Sequence, residues 1–269
     1  MFVPLPQYAS QSDKNSRYRQ SLYIDNEQDL KKEIDNLLAH NDEFIYRGIY
    51  DASYKMYSSS QRLWFLDDNR MLRLGCTDYY DTIECLIKLA VNQPDVQQYI
   101  QQNNLPYNDF LILAMLQHFG SPSPMLDFSN NVLKGLFFAV DNMPTWTDKG
   151  TNNLDDYVSL YYIRKDIDWP DLAQKMAEES NMQYQKIRPE YSNTFFLRVG
   201  DYSFLNNTKD IPFVEVMNSV CKKQHFCCLN IRKHLVPLIQ SCYLQPNGIT
   251  YNSVYCIGNA VSDQLPISI

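Results

Sequence analysis

Residues 113–139 read LAMLQHFGSPSPMLDFSNNVLKGLFFA. A helix that begins at Asp109 runs through Gln117 and stops at Gly120, where the Ser-Pro-Ser-Pro turn breaks it. MLDFS (125–129) is then short and extended, and NVLKGLFFAVDN turns Val132, Leu136 and Ala139–Val140 to one helical face. Helix, turn, strand and helix in this order predict an α+β fold with helices inserted between strands. The same stretch sets Gln117, His118, Asp127 and Ser129 among residues of core character. A buried polar group is costly unless it finds a partner, so the four form either a structural hydrogen-bond cluster or a site.

Outward from that block, FIYRGIY (44–50) is β-branched and aromatic and reads as a strand. DNEQDLKKEIDNLLAHND places Leu30, Ile34, Leu37 and Leu38 on one helical face, with Asp25 or Asn26 as N-cap. YYDTIECLIKLAVNQPDVQQYIQQN reads as helix with a break before Pro94. YVSLYYIR (157–164) and IPFVEV (211–216) read as strands, residues 168–186 as helix, and IRKHLVPLIQSCYL as a helix interrupted at Pro237. Residues 1–24 are polar and are expected to form an N-terminal arm, ordered where it docks. Residues 25–269 are expected to form a single α+β domain on a mostly antiparallel sheet.

Composition narrows the classes. The chain has 269 residues, 45% of them hydrophobic, enough for a sizeable core. The net charge of −7 argues against broad, phosphate-driven nucleic-acid binding. Seven cysteines include no C-x-x-C pair, so neither a disulfide framework nor a zinc site is expected. His40, His225 and His234 stand in no ligand spacing, and no metal is expected. The opening MFVPLPQYASQSDK lacks a basic n-region, and no apolar run reaches transmembrane length. A cytoplasmic protein without a membrane partner is the expectation.

Chemistry concentrates in a few places. Arg47 lies on a strand between apolar residues, and a guanidinium there needs a carboxylate or phosphate in bidentate reach. It serves either a ligand or a surface acid. Gly48 beside it admits a ligand or another backbone. In SSSQR (58–62) the serines form a loop or an N-cap ahead of Arg62. Gln117–His118 closes a helix, where an imidazole caps carbonyls or works as a base oriented by Asp127. Asp127 and Ser129 share the face opposite Leu126 and Phe128. No Walker loop, G-x-G-x-x-G or G-x-S-x-G occurs.

Taken in order, Phe44, Tyr46-Arg47-Gly48, then Ser59 and Arg62, then the Leu113–Ser129 block and GLFFA resemble the FRG domain family, over roughly residues 40–165. Pro124 replaces an arginine of that pattern, and Ser123 keeps the hydroxyl of its threonine. Near the C-terminus Asn218 and Gln224 match, while Val220 and Phe226 depart. The Tyr-Arg-Gly strand is also similar to the first motif of arginine-class ADP-ribosyltransferases. This second resemblance implies NAD as substrate, held by Arg47 and supported by Asp127–Ser129, with Glu215 or Gln224 stabilising the ribosyl cation. The implied ligand-binding set is Tyr46, Arg47, Gly48, Ser59, Arg62, Gln117, Asp127 and Ser129, and the catalytic candidates are Glu215, Gln224 and His118. It implies a macromolecular acceptor and, for a toxin or anti-phage effector, an antitoxin or regulatory partner. The alternatives are a non-catalytic binding module, in which Arg47, His118 and Asp127 hold loops together, and a hydrolase using His118 as base.

Overall fold

The structure is a computed structural model that describes residues 5–66, 79–102, 104, 109–118, 122–141, 153–166, 184–185, 202–206 and 208–255. In chain order its principal elements are α1 (Gln11–Asn15), β1 (Gln20–Ile24), α2 (Glu27–Ala39), β2 (Phe44–Ile49), α3 (Ser59–Leu66), α4 (Tyr79–Val91), α5 (Pro94–Gln102) and α6 (Asp109–His118). There follow β3 (Met125–Phe128), α7 (Val132–Val140), β4 (Tyr157–Arg164), β5 (Tyr184–Gln185), β6 (Tyr202–Leu205), α8 (Phe213–Cys221), β7 (Cys227–Arg232), α9 (Val236–Ile239) and α10 (Tyr251–Tyr255).

A four-stranded sheet runs in the order β1-β7-β4-β2. β1 and β7 are parallel, and the other two pairings are antiparallel. A smaller sheet, β3-β6-β5, is antiparallel throughout. The fold is therefore α+β on a mixed sheet, mostly antiparallel. Tyr46 and Ser129 stitch the two sheets together: Tyr46 N–H donates to Ser129 O at 2.7 Å and Ser129 N–H to Tyr46 O at 2.8 Å.

β4 explains the layering. All of its residues but the last are buried, as in a central strand covered on both faces. Tyr157, Tyr161 and Ile163 face a core that holds Phe128, Phe204, Phe213 and Phe226. Val158, Leu160 and Tyr162 alternate to the other face, where Leu30 and Ile34 of α2 and Leu136 of α7 cover them. A third cluster under α4–α6 reaches Met125 and Leu205 of the smaller sheet. The aromatic content is thus spent largely inside, where Phe128 meets Phe204 edge-on at 5.2 Å.

Several expectations change here. The N-terminal segment is docked where it is described: β1 is a sheet strand, and Tyr8, Lys14 and Tyr18 are buried. β7 (CCLNIR) had no strand reading; flanked by His225 and Lys233, it lacks the period-2 contrast of a half-exposed strand because it is covered on both faces. Residues 211–216 do not form a strand. Pro212 leads into α8, whose Phe213, Val214, Val216, Met217 and Val220 are buried at helical spacing despite their β-branching. Leu38 is 37% exposed rather than part of the α2 face. The helix reading at 168–186 lies outside the described residues, apart from the two residues of β5. The interruption at Pro237 takes the form of a short α-helix followed by π and 3-10 turns over 240–247.

Lys14 is buried, and no carboxylate among the described residues stands at ion-pair distance from it. Its Nζ donates to Ala52 O at 2.7 Å and Ser159 Oγ at 2.8 Å, and it stands over the rings of Tyr8 and Tyr161. Burial lowers its pKa from 10.5 to about 8, with Cys228 and Asp51 opposing the shift. The folded state therefore holds this proton less tightly than the unfolded chain. The penalty of the charged form is complete below pH 8 and is relieved as pH rises toward 10.5. Wild-type stability relative to Lys14→Met is expected to climb over that window, by roughly 3 kcal/mol at most. The comparison is needed because burial raises the pKa of Tyr8, Tyr18, Tyr161 and Cys228, and their ionisation destabilises both proteins at the alkaline end. Urea melts of the two proteins at pH 7 and pH 10 measure the difference; equal changes with pH would mean that Lys14 does not titrate in this window.

Candidate functional site

β2 sorts its side chains by parity. Tyr46 points to the α2/α7 face, where it is buried and its hydroxyl donates to Leu37 O. Arg47 takes the opposite face, toward β3. Its Nη1 donates to the Asp127 carbonyl at 2.6 Å and its guanidinium lies 5.9 Å from the Phe128 ring centre. The Nε is buried and has no hydrogen-bond partner among the described residues. The residue as a whole is half-buried, with the Nε on its enclosed side. Burial lowers the Arg47 pKa to about 10; Asp127 opposes that shift and the positive charge of Arg62 reinforces it.

Gly48 allows the sheet to come against α7. A Cβ there would stand 2.1 Å from Gly135 O and 2.2 Å from Ala139 N. The close approach at this glycine is thus made by another backbone. Asn131 caps α7 through its side chain, which accepts from Leu133 N–H and Lys134 N–H, and this fixes the helix that presses on β2.

A cavity of about 160 Å³ opens at the end of β2. Arg47, Tyr50, Tyr54, Lys55, Arg62 and Phe138 line it, with Leu5 and Pro6 closing one side. Arg62 is solvent-exposed and makes no ion pair among the described residues, although crowding by protein still lowers its pKa, an effect that Tyr50 and Tyr54 oppose. Tyr50 and Tyr54 meet edge-on at 5.7 Å. Lys55 is neutralised by Glu215, with Nζ 3.0 Å from Oε1. Two cationic guanidiniums therefore share this cavity wall, and no carboxylate among the described residues stands within ion-pair distance of either.

The expected site residues separate into groups. Arg47, Gly48 and Arg62 line the cavity, as does Tyr50, whereas Tyr46 faces the other side of the sheet. Ser59 and Gln117 brace a turn instead. Ser59 Oγ lies 3.2 Å from Gln117 Oε1 and accepts from Ser123 N–H at 2.9 Å. Ser129 accepts from Asn131 N–H at 3.1 Å ahead of α7. Asp127 meets Arg47 through its backbone carbonyl. Glu215 adjoins the cavity through Lys55, and Gln224 donates to the Ser16 carbonyl, away from Arg47. The His118 side chain lies outside the described residues. Among the described residues no group of three or more His, Cys, Asp or Glu is placed to hold a metal, and no helix is long and apolar enough to cross a membrane.

Residues 42–147 match the family model of the FRG domain. This segment is an FRG domain. It contains β2 with its Tyr-Arg-Gly motif, Arg62 and the Gln117–Ser129 block, and thus most of the cavity wall. No curated protein and no solved structure matches the chain.

The FRG domain also contains a residue that motif reading passed over. Gln61 is fully buried, and its Nε2 donates to Thr208 O at 2.6 Å and Ile211 O at 3.1 Å. Its Oε1 accepts from Ser58 N–H at 2.9 Å, while Gln61 N–H donates to Ser58 Oγ at 3.3 Å. That is a reciprocal Ser-x-x-Gln capping box, a signal present in SSSQR and outweighed there by the arginine. It ties α3, which carries Arg62, to the 208–211 segment.

Proposed function

We propose that the FRG domain binds a phosphorylated ligand of the nucleotide class in the cavity at the end of β2, with NAD as the candidate substrate. The observation that supports this is the pair of guanidiniums, Arg47 and Arg62, on one cavity wall with neither in an ion pair among the described residues. Two like charges in a partly desolvated wall repel each other, and a phosphate or pyrophosphate relieves both. The volume of about 160 Å³ suits a pyrophosphate with an adjoining sugar, and the rest of a dinucleotide would extend outward past Tyr50 and Tyr54.

The reaction in this reading is ADP-ribosyl transfer. The bond from the ribose C1′ to nicotinamide breaks, nicotinamide leaves with the electron pair, and an acceptor nucleophile forms the new bond and loses its proton. The likeness to ADP-ribosyltransferases that suggests this chemistry rests on the Tyr46–Gly48 strand. Arg47 and Arg62 would position the phosphates, and Glu215, freed from Lys55, would face the cationic ribose. A non-catalytic binding module is the second reading. It is favoured by Glu215 being paired to Lys55 and Gln224 to the Ser16 carbonyl, each engaged with protein.

Calorimetry with pyrophosphate, ADP-ribose and NAD, alongside an assay for nicotinamide release, tests both readings. Arg62→Gln is expected to weaken binding at least about tenfold with thermal stability unchanged, as a charge-assisted phosphate contact at an exposed residue would. Absence of binding by the wild type at millimolar ligand sinks the proposal. Binding without nicotinamide release in the presence of acceptor proteins selects the module.

A further inference from the structure

We infer that residues 5–18 form a strap that walls this cavity, and that Lys14 is the positioning residue that fixes the strap to the cavity loop. The ligand half of this inference rests on the reading above; the strap half does not.

Leu5 and Pro6 are lining residues of the cavity, and the chain just after them is held against the loop that supplies Tyr50, Tyr54 and Lys55. Gln7 bridges Tyr54, and Tyr8 N–H donates to Ser53 O at 2.9 Å. The Tyr8 ring also carries Lys55 Nζ at 5.7 Å, and its hydroxyl meets that of Tyr18 at 2.7 Å. Lys14 locks the assembly from within. Its ammonium reaches past the strap to Ala52 O in the same loop and to Ser159 Oγ on β4, the rigid centre of the sheet. The far end of the strap is clamped separately, with Asn218 Nδ2 donating to Arg17 O at 2.7 Å. One side chain thus joins the strap, the cavity loop and the central strand.

A lysine is an expensive choice for that position. A buried ammonium is tolerated only because two oxygens and two aromatic faces replace its water. An apolar side chain of similar length would fill the space but could not hold the Ala52 carbonyl. The residue therefore contributes direction as well as volume, and what it directs is the wall of the ligand cavity. A ligand that touches Leu5 and Pro6 would in turn favour the docked strap, because strap opening and binding are linked equilibria.

The test is amide hydrogen exchange on wild type, Lys14→Met and a double variant, Leu5→Ala with Pro6→Ala, each with and without pyrophosphate. In Lys14→Met, exchange of the amides at Tyr8 and Ala52–Tyr54 is expected to accelerate about tenfold or more, while those of β4 stay protected. In the wild type, saturating pyrophosphate is expected to slow the same strap amides, by about a hundredfold at one hundred times its dissociation constant if opening releases the ligand. The double variant leaves the Lys14 lock in place and is expected to weaken pyrophosphate binding without loosening Ala52–Tyr54. Unchanged exchange in Lys14→Met overturns the positioning role. Unchanged affinity in both variants overturns the wall. If the wild type binds no pyrophosphate, the ligand reading fails, and the exchange comparison without ligand still decides whether Lys14 holds the strap.

Discussion

Gly48→Ala is expected to abolish the soluble fold or to cost about 4 kcal/mol or more, beyond the usual range for overpacking. The added methyl would stand 2.1 Å from Gly135 O, 2.2 Å from Ala139 N and 2.8 Å from Phe138 C, and all three are backbone atoms of α7. No rotamer change relieves such contacts; the helix must lift off the sheet. That movement would open the core in which Leu136, Ala139 and Val140 pack beside Tyr46 and Leu160. Gly135→Ala is the informative companion, because its methyl would meet Leu160 Cδ1 and Tyr46 Cβ, each at 2.8 Å. The leucine tip can turn away and alanine favours the helix by about 1 kcal/mol, but Tyr46 Cβ is fixed to the β2 backbone, so a net loss of about 2 kcal/mol is expected, still below that of Gly48→Ala. Urea denaturation of the two variants measures the ranking. Equal losses would show that helix and strand are not held at contact distance.

Gln61→Leu should be the second most damaging of the changes considered. The leucine keeps much of the volume but leaves Ser58 N–H without its acceptor and strips Thr208 O of its donor, while Ile211 O keeps Thr208 Oγ1 as a donor. Asn206 Nδ2, which also donates to Ile211 O, loses its contact with Gln61 Oε1. Each buried polar group left unmade costs about 1 kcal/mol or more, which places the sum near 3 kcal/mol and the drop in melting temperature at roughly 6 to 12 °C. Because α3 carries Arg62, ligand affinity should fall with stability in this variant, unlike in Arg62→Gln. Thermal melts and pyrophosphate titrations on the same preparations separate the two. A loss below about 1 kcal/mol would mean that the capping box is replaceable by water.

The sequence was most readable where one physical requirement dominates. The Tyr-Arg-Gly strand, the Leu113–Phe138 block and the helix of residues 27–39 announce themselves through periodicity, caps and breakers, and the structure has elements at each. Strands covered on both faces leave weaker traces. CCLNIR has no alternation to detect, and β1 lies in a polar-looking stretch because its neighbours, rather than its own residues, decide its burial. FVEV misleads in the other direction, since its β-branched residues serve a helix whose apolar face needs them. Around the cavity, local motifs singled out Arg47, Gly48 and Arg62, and all three line it. They could not identify Lys14 or Leu5, which matter through what the chain folds them against. Ser59, Gln117 and Ser129 carry site-like chemistry and are used as braces, a distinction only three-dimensional placement makes.

The parallel pairing of β1 with β7 sets Gln20 beside Cys227 and Ile24 beside Ile231. During synthesis the first strand of the larger sheet leaves the ribosome about two hundred residues before the strand that flanks it. At roughly 5–20 residues per second, that delay is about 10–40 s. Through that interval the edge formed by residues 20–24 has no native neighbour, while β2 and β4 can already zip together. The last step of sheet assembly is then a long-range closure, slow in the way high-contact-order topologies are slow. A chain cut short before residue 227 would therefore lack the strand that pairs with its residues 20–24.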